Sequence, residues 1–460
     1  MDNPMKPIEI EALIDDRPED GVFRVHAEMF RSEDIFTLEM QHIFEGTWVF
    51  VGLECQIPNP HDFFTTMIGR QPVMVTRSAD EKIYCLLNTC RHRGAIVCQA
   101  MAGNKNTHVC PYHGWAYDSA GQNVAVTTED EGAYSEAFSL EDHNLKPAAR
   151  TGSYRGFIFA SLNPDVAPLE EHLGGARAFI DLAVDQSPDG IELVPGRVSY
   201  RYNGNWKMQI ENSADQYHFA QTHVSYLQIL GNRNPDTPND PRVSFRRTYS
   251  SRDLKRGSFT FANGHNALWG SVEQPELLAL WKEKESVQKR VGEARFKWML
   301  KTRNLLVFPN LQLLETASLQ IRVNRPLGPD KTEITTFCIA PKGESHESRV
   351  LRLRQYEEFY NPSGLATPDD LAIFDACQRG QESDSVEWHQ GYMRGIAAVQ
   401  SGANDYAREL GIDPTTSVST TAAMGDETIF HGPYREWRHL LLKGMAAEEA
   451  RPRRARHAAI

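Results

Sequence analysis

The sequence predicts an α+β protein, with a small all-β domain followed by a larger domain of antiparallel sheet flanked by helices. Between residues 48 and 163 the chain consists mostly of short β-branched and aromatic runs separated by turn residues, which is typical of an all-β domain. After residue 163, helix-like and strand-like segments follow one another. Because both kinds of segment need a partner to bury their apolar faces, this order favours a layered α+β domain.

The same change of pattern sets the expected domain boundaries. We expect residues 1–47 to form an N-terminal helical segment that packs on the larger domain, and residues 48–163 to form the all-β domain. Residues 164–450 form the larger domain in this division. Residues 451–460 are a basic run at the end of the sequence and are expected to be disordered.

Individual elements of the larger domain can be predicted from periodicity and length. The predicted helices are 169–185, 209–230, 282–302 and 345–359. The predicted strands are 194–202, 258–261, 304–308, 319–323 and 333–339. A Pro- and Asn-rich stretch at 232–241 is predicted to be a flexible loop.

The composition of the chain argues against several classes of protein. The 460 residues include 49 basic and 61 acidic side chains, and the net charge of −12 argues against a nucleic-acid partner. No apolar run is long enough to span a bilayer, and residues 1–7 lack the apolar core of a signal peptide. Seven cysteines, an odd number, favour reduced thiols. We therefore expect a cytoplasmic protein without a membrane partner.

Two short loops carry one cysteine and one histidine each, in the pattern Cys90-x-His92 and Cys110-x-x-His113. Two thiolates on one iron and two imidazoles on the other are the ligands of a Rieske [2Fe–2S] cluster. A structural zinc site uses the same residue types. Zinc sites usually pair like ligands, however, and here each loop has one of each, which favours the cluster.

The neighbours of these loops support the same interpretation. Gly94 and Gly114 follow the histidines closely, where the backbone has to turn around a ligand. Cys98 lies between the two loops, but its apolar neighbours Ile96 and Val97 favour a buried side chain over a ligand.

A second group of possible metal ligands follows about a hundred residues later. His218 and His223 lie near Asp215 in one polar segment, which suits a 2-His-1-carboxylate iron site. A half-buried polar helix is the alternative. Because the two histidines are five residues apart, a helix that carries both ligands has to break or bulge between them.

Together the two motifs resemble the large (α) subunit of Rieske non-haem iron ring-hydroxylating dioxygenases, over nearly the whole chain. Four stretches are most similar to the benzoate/anthranilate/halobenzoate 1,2-dioxygenase branch: Ile43-Phe44-Glu45-Gly46-Thr47-Trp48, Ile68-Gly69-Arg70-Gln71-Pro72, Gly204-Asn205-Trp206-Lys207 and Ala366-Thr367-Pro368-Asp369-Asp370-Leu371. The resemblance implies a Rieske [2Fe–2S] domain at 48–163 and a catalytic mononuclear Fe(II) domain at 164–450. It also suggests that the loop at 232–241 is a lid over the active site, although an ordinary surface loop fits its composition equally.

The resemblance assigns roles to individual residues. Cys90, His92, Cys110 and His113 would bind the cluster. His218 and His223 would bind the iron, with a distant carboxylate as third ligand, and the family pattern of an aspartate followed eight positions later by glutamine favours Asp370 with Gln378.

Asp369 and Asp370 also follow Pro368 and so suit helix capping, which stays an alternative. Asp215 corresponds to an aspartate that joins an iron histidine, here His218, to a cluster histidine of the neighbouring subunit, here His113. Such a carboxylate would fix the imidazole tautomers.

Five residues are candidates for the substrate pocket or, alternatively, ordinary core: Asn212, Ser213, Phe219, Asn304 and Leu314. The chain departs from the branch at Asn212-Ser213-Ala214, at Gln216 and at Leu313-Leu314-Glu315-Thr316. These departures do not change the predicted reaction class, but they put the identity of the substrate in doubt.

The resemblance implies that the chain dihydroxylates an aromatic carboxylate with O2. Electrons would come from NADH through a separate reductase, because the chain has no G-x-G-x-x-G after a strand. Three such chains would assemble with three small β subunits. The alternatives are a monooxygenase acting on a salicylate-like ring, a Rieske electron carrier without oxygenase activity and, last, a zinc-binding scaffold.

Overall fold

A computed structural model of the protein describes residues 7–128, 131–232, 254–421 and 425–450. Contacts divide the chain into two units, residues 40–169 and residues 1–39 together with 170–460. The chain therefore leaves the larger unit after residue 39 and returns to it at residue 170.

The elements are numbered in chain order over the described residues. The strands are β1 Ile14–Arg17, β2 Val22–His26, β3 Val49–Leu53, β4 Asp62–Ile68, β5 Gln71–Arg77, β6 Ile83–Leu87, β7 Ala102–Asn104, β8 Thr107–Val109, β9 Ala116–Asp118, β10 Asn123–Ala125, β11 Arg150–Tyr154, β12 Phe157–Ser161, β13 Ile191–Leu193, β14 Val198–Asn203, β15 Lys255–Thr260, β16 Asn266–Gly270, β17 Thr302–Val307, β18 Leu311–Glu315, β19 Leu319–Gly328, β20 Lys331–Pro341, β21 Trp388–His389, β22 Gln400–Ser401 and β23 Thr416–Thr421. The α-helices are α1 Pro7–Glu11, α2 Glu33–Glu39, α3 Glu136–Ser139, α4 Leu169–Leu173, α5 Arg177–Val184, α6 Trp206–Asn212, α7 Phe219–Thr222, α8 Val224–Asn232, α9 Lys284–Val291, α10 Glu293–Met299, α11 His346–Phe359, α12 Thr367–Gly380, α13 Asp405–Leu410 and α14 His431–Ala450.

The smaller unit is built almost entirely from antiparallel strands, as predicted. Its sheets have the strand orders β6-β5-β4-β7, β11-β12-β3 and β10-β9-β8. Alternating apolar side chains from the first two sheets, such as Val49, Val73 and Ile158, are fully buried in one core. A second core lies beneath the two Cys/His loops and includes Trp115 and Tyr117.

The larger unit contains an antiparallel sheet of strand order β13-β20-β19-β18-β17-β16-β15-β23-β22, with β14 also paired to β20. Long strands dominate its centre, since β19 and β20 pair along most of their length. Helices α6, α11 and α12 contribute buried side chains to this unit. The α+β fold class predicted from the sequence is confirmed.

The N-terminal segment differs from the predicted helical one. Residues 14–17 and 22–26 are strands, and β2 also pairs with β21. Phe23 and Val25 are fully buried while their neighbours are only partly so, and this alternation with period two marks a strand. The helical prediction is correct for α2, which continues into a π-helix at Met40–Phe44.

Three predicted helices are interrupted. The one at 282–302 is divided into α9 and α10 at Gly292, whose φ of +85° and ψ of 162° are not helical. Between α4 and α5 the chain forms a 3₁₀ turn at Gly174–Ala176, where consecutive glycines weaken the α-helix. The segment predicted as one helix at 209–230 is three helices, α6, α7 and α8. The described residues include no helix long and apolar enough to cross a membrane. Residues 233–241 of the predicted lid and the basic tail at 451–460 lie outside the described residues.

A buried ion pair ties the N-terminal segment to the larger unit. Glu39 Oε1 accepts hydrogen bonds from Lys207 Nζ at 2.5 Å and from Trp437 Nε1 at 2.6 Å. Its Oε2 accepts from Trp206 Nε1 at 2.7 Å. Glu39 and Lys207 are each only 1% exposed. Burial lowers the pKa of Lys207, and the carboxylate of Glu39 opposes that shift.

We predict that Glu39→Gln lowers stability by about 3–5 kcal/mol, because it leaves the Lys207 ammonium buried without its counter-ion. Urea unfolding followed by tryptophan fluorescence measures this loss. The control is Glu293→Gln, which removes a well-exposed pair with Lys297 and should leave the urea midpoint unchanged. Equal midpoints for the two variants would contradict the prediction, and the double variant Glu39→Gln/Lys207→Met should recover part of the loss.

Candidate metal centres

The break between α6 and α7 is caused by a local side-chain contact. Asp215 Oδ1 accepts hydrogen bonds from the backbone N–H groups of Tyr217 at 2.6 Å and His218 at 3.3 Å. A short acidic side chain that binds the backbone in this way competes with helical hydrogen bonding. The helix therefore ends at Asn212 and restarts at Phe219. The departure from helical geometry expected between the two ligands comes at His223, where α7 ends with a φ of −99° and a ψ of 34°.

Three side chains converge beyond this break. The Nε2 atoms of His218 and His223 lie 3.5 and 3.3 Å from Oδ1 of Asp370. One ligand atom from each of the three residues falls within 4.8 Å of the others. The Asn212 amide donates to Asp370 Oδ1 at 3.0 Å. This is the donor set and the spacing of a facial 2-His-1-carboxylate iron site.

Each of the two imidazoles faces a further carboxylate on its other side. Nδ1 of His218 lies 3.0 Å from Asp215 Oδ2, although the pair is not aligned as a regular hydrogen bond. Nδ1 of His223 lies 3.4 Å from Asp369 Oδ2. Burial opposes charging of His218, but the contact with Asp215 and its negative charge raise the pKa of that ring. Both histidines are therefore oriented with Nε2 toward Asp370.

The capping alternative for Asp369 and Asp370 does not fit the geometry. The N-cap of α12 is Ala366, and no side chain caps it. Asp370 instead faces both histidines, while Asp369 contacts His223 and Ser225. Gln378, eight residues after Asp370, accepts a hydrogen bond from Asn205 N–H at 2.8 Å and so connects α12 to the start of α6.

A cavity of about 650 Å³, including its open mouth, adjoins the three converging side chains. The five residues predicted for a substrate pocket all line it: Asn212, Ser213, Phe219, Asn304 and Leu314. Leu268 and Phe359 extend its apolar wall. Contact of these residues with a substrate stays a prediction.

The sequence analysis did not identify the cationic side chains of this cavity. Arg256 and Arg322 both line it, as does Tyr360. Arg322 belongs to β19, which was predicted as a strand at 319–323 without a role for this residue. An arginine within a strand usually indicates a solvent-exposed face, so no local pattern separates Arg322 from the surface arginines.

Glu211, near the end of α6, is a further residue of this region to which the sequence assigned no role. Burial raises its pKa to about 7, and the hydroxyls of Tyr392 and Tyr434 donate to its Oε1. The negative charge of Asp215 favours the protonated form of Glu211 as well. A carboxyl group that titrates near neutrality therefore lies beside the segment that carries the histidines.

In the smaller unit, the two Cys/His loops have the same backbone hydrogen bonds. The N–H of Cys90 donates to Ala95 O and that of Cys110 donates to Trp115 O, each at 2.8 Å. Gly94 N–H donates to Cys90 O in the first loop, and Gly114 N–H donates to Cys110 O in the second. The two glycines have φ values of +75° and +76°, which other residues rarely adopt.

The side chains of the two loops converge on one point. Nδ1 of His92 lies 3.0 Å from Nδ1 of His113. Cys90 and Cys110 are buried and form no disulfide, whereas both histidines are half-buried. Burial and the neighbouring His113 lower the pKa of His92, which favours its neutral form. The two imidazoles thus meet at their Nδ1 atoms, and the two thiols lie in the same core beneath the loops.

Cys98, the cysteine between these loops, has a structural environment. Its N–H donates to Asn88 Oδ1 and its carbonyl accepts from Asn88 Nδ2, both at 2.8 Å. Its side chain is buried in the core beneath the loops, as predicted from its apolar neighbours.

Comparisons with known proteins agree with these two centres. Residues 47–140 match the Rieske [2Fe-2S] domain, and residues 193–410 match the catalytic domain of the ring hydroxylating alpha subunit. The chain is 40% identical to the 2-halobenzoate 1,2-dioxygenase large subunit of Burkholderia cepacia, over 95% of this chain and 94% of that protein. It is 41% identical to the toluate 1,2-dioxygenase subunit alpha of Pseudomonas putida, over 96% of each chain. The anthranilate 1,2-dioxygenase large subunit of Acinetobacter baylyi is 36% identical over 95% of this chain and 93% of that protein.

Solved structures give the same result. Naphthalene 1,2-dioxygenase from Rhodococcus sp. superposes with a TM-score of 0.76 at 25% identity, over 91% of this chain and 94% of that one. A catalytic domain accompanies the cluster domain, which rules out a simple electron carrier. The resemblance inferred from the motifs is confirmed: the chain belongs to the Rieske-type ring-hydroxylating dioxygenases, as an alpha subunit with a [2Fe–2S] domain and a non-haem iron catalytic domain.

Proposed function

We propose that the protein is the terminal oxygenase component that adds both atoms of O2 to the ring of a benzoate- or anthranilate-like carboxylate, giving a cis-dihydrodiol. The convergence of His218, His223 and Asp370 on one largely apolar cavity carries this proposal. The substrate class is supported by the names of relatives that are 36–41% identical over nearly the whole chain.

His218, His223 and Asp370 would hold the catalytic iron. Their donor set supports this, since two neutral imidazoles and one carboxylate suit ferrous iron and leave coordination positions open. Cys90, Cys110, His92 and His113 would hold the cluster, because two thiolates and two imidazoles are the ligands that distinguish a Rieske centre. When bound, the cluster supplies single electrons and the iron supplies the site of O2 activation.

Other residues of the chain would orient the metal ligands and shield the aromatic ring. Asp215 and Asp369 face the Nδ1 atoms of His218 and His223, so each fixes the tautomer that presents Nε2 to the metal. The apolar wall formed by Leu268, Leu314 and Phe359 would exclude water from the aromatic ring. Asp215 would also accept a hydrogen bond from His113 of a neighbouring subunit, which makes a ring of alpha subunits part of the mechanism.

The proposed assembly has three alpha and three small beta subunits, served by a separate NADH-dependent reductase in the cytoplasm. The relatives are named large or alpha subunits, which supports a multi-subunit enzyme.

A substrate panel tests the proposed function. We expect the purified alpha and beta subunits, with a reductase and NADH, to convert benzoate or anthranilate to a product that contains both atoms of isotopically labelled O2. The variant His218→Ala should abolish the product because an iron ligand is lost, while the cluster keeps its Rieske-type EPR signal. A product with a single labelled oxygen would indicate a monooxygenase, and activity on neutral arenes alone would refute the substrate class.

The role of Asp369 can be tested separately. Asp369→Asn should weaken iron binding by about 10–100-fold, because the Nδ1 proton of His223 loses its charged acceptor. Iron retained after dialysis against graded chelator measures the affinity. The matched control is Asp375→Asn on the same helix, where the carboxylate is half-exposed and pairs with Arg379. Equal iron retention by both variants would contradict this role.

The bridge proposed for Asp215 predicts a different pattern. Asp215→Asn should keep both metals and a normally reducible cluster, while product formation falls by about 100-fold or more, because the charge that orients the imidazoles is lost. Metal analysis, cluster spectra and product assays distinguish these effects, with Asp375→Asn again as the control. Near wild-type turnover by Asp215→Asn, or an active monomer, would disprove the inter-subunit route.

A further inference from the structure

The cavity contains a buried cation that forms no ion pair with a carboxylate among the described residues. Arg322 lines the cavity and is 5% exposed. Within the described residues, no carboxylate oxygen lies within 4.0 Å of its guanidinium, and its hydrogen-bond acceptor is the neutral amide of Gln320. Burying a charge without a counter-ion is costly, so a side chain in this state indicates that an anion arrives from outside.

Two other buried arginines of the same unit are paired with carboxylates. Arg303 forms an ion pair with Glu315, and Arg352 pairs with Glu344 at 2.9 Å. The carboxylates that line the cavity are already engaged, because Asp215 lies 3.0 Å from His218 and Asp370 lies within 3.5 Å of both Nε2 atoms. They are therefore committed to orienting or forming the metal site and do not neutralise Arg322.

The guanidinium of Arg322 is held in place. Its Nε donates to Gln320 Oε1 at 2.7 Å, and its Cζ lies 5.5 Å from the centre of the Tyr360 ring. Gln320 is itself fixed by donating to Asn361 Oδ1 at 3.3 Å. With Nε occupied and the plane fixed, the two terminal nitrogens remain for a bidentate bond to a planar anion.

We propose that Arg322 binds the carboxylate of the aromatic substrate and so makes the enzyme selective for aromatic acids over neutral arenes. This inference rests on the proposed function and names the residue that decides its substrate class. The aromatic ring would then lie against Leu314 and Phe359, which line the same cavity. A neutral arene would leave the guanidinium buried and unpaired.

Binding of benzoate and of its neutral analogue benzamide to the assembled, iron-loaded enzyme tests the proposal by titration calorimetry. Arg322→Gln should raise the Kd for benzoate by about 100-fold, the scale of a lost charge-assisted bidentate contact, and leave the Kd for benzamide nearly unchanged. The control is Arg325→Gln, three residues further along β19, which removes a half-exposed pair with Glu333 and should leave both Kd values unchanged. If Arg322→Gln fails to fold, Arg322→Lys decides: a higher Kd for benzoate alone supports the assignment.

Two results would overturn the assignment. Benzoate binding that is unaffected by both Arg322 variants would remove Arg322 from recognition. Loss of benzoate binding in Arg256→Gln, with Arg322→Gln unaffected, would transfer the role to the second arginine of the cavity. Failure of the proposed function looks different, because the wild-type enzyme would then show no preference for benzoate over benzamide and would oxidise no aromatic acid.

Discussion

The catalytic centre depends on where the helices around His218 and His223 begin and end. Residues five apart on an unbroken α-helix point about 140° away from each other, so His218 and His223 could not share a metal there. The carboxylate of Asp215 accepts the N–H groups of Tyr217 and His218 and so interrupts the helix just before the first histidine. The short helix α7 then ends at His223, whose φ of −99° and ψ of 34° are not helical. Its second oxygen faces Nδ1 of His218. One side chain therefore shapes the backbone and orients a ligand at the same time.

The charged side chains of the catalytic unit fall into groups with different partners. Structural charges are paired inside the protein, as Lys207 is with Glu39 and Arg303 is with Glu315. The carboxylates near the metal site face imidazoles, which they orient. Arg322 departs from this pattern because its fixed partner is a neutral amide. The contrast separates charges that hold the fold together from a charge that is available to a ligand.

The cluster loops show how one backbone pattern, used twice, can present two kinds of donor. Each loop places a cysteine at its start, where the thiol is buried, and a histidine near its turn, where the ring is half-buried. The positive φ of Gly94 and Gly114 closes each turn. The thiols consequently lie in the core beneath the loops, and the imidazoles are the more accessible of the four donors.

The sequence by itself determined the fold class, the two ligand motifs and the family. These were readable because periodicity, turn residues and the spacing of Cys90 to His113 are local properties of the chain. The strands at 14–17 and 22–26 were missed, since their short alternating patterns become clear only when the two pair with each other and β2 pairs with β21. Asp369 and Asp370 have the same local context, and the family pattern with Gln378 favours Asp370. The folded chain adds what each one contacts: Asp370 faces both Nε2 atoms, and Asp369 faces Nδ1 of His223. The environment of Arg322 is likewise decided by the tertiary structure alone. Its partners Gln320 and Tyr360 come from β19 and from the end of α11, and whether a buried cation has a counter-ion depends on which distant segments the fold brings together.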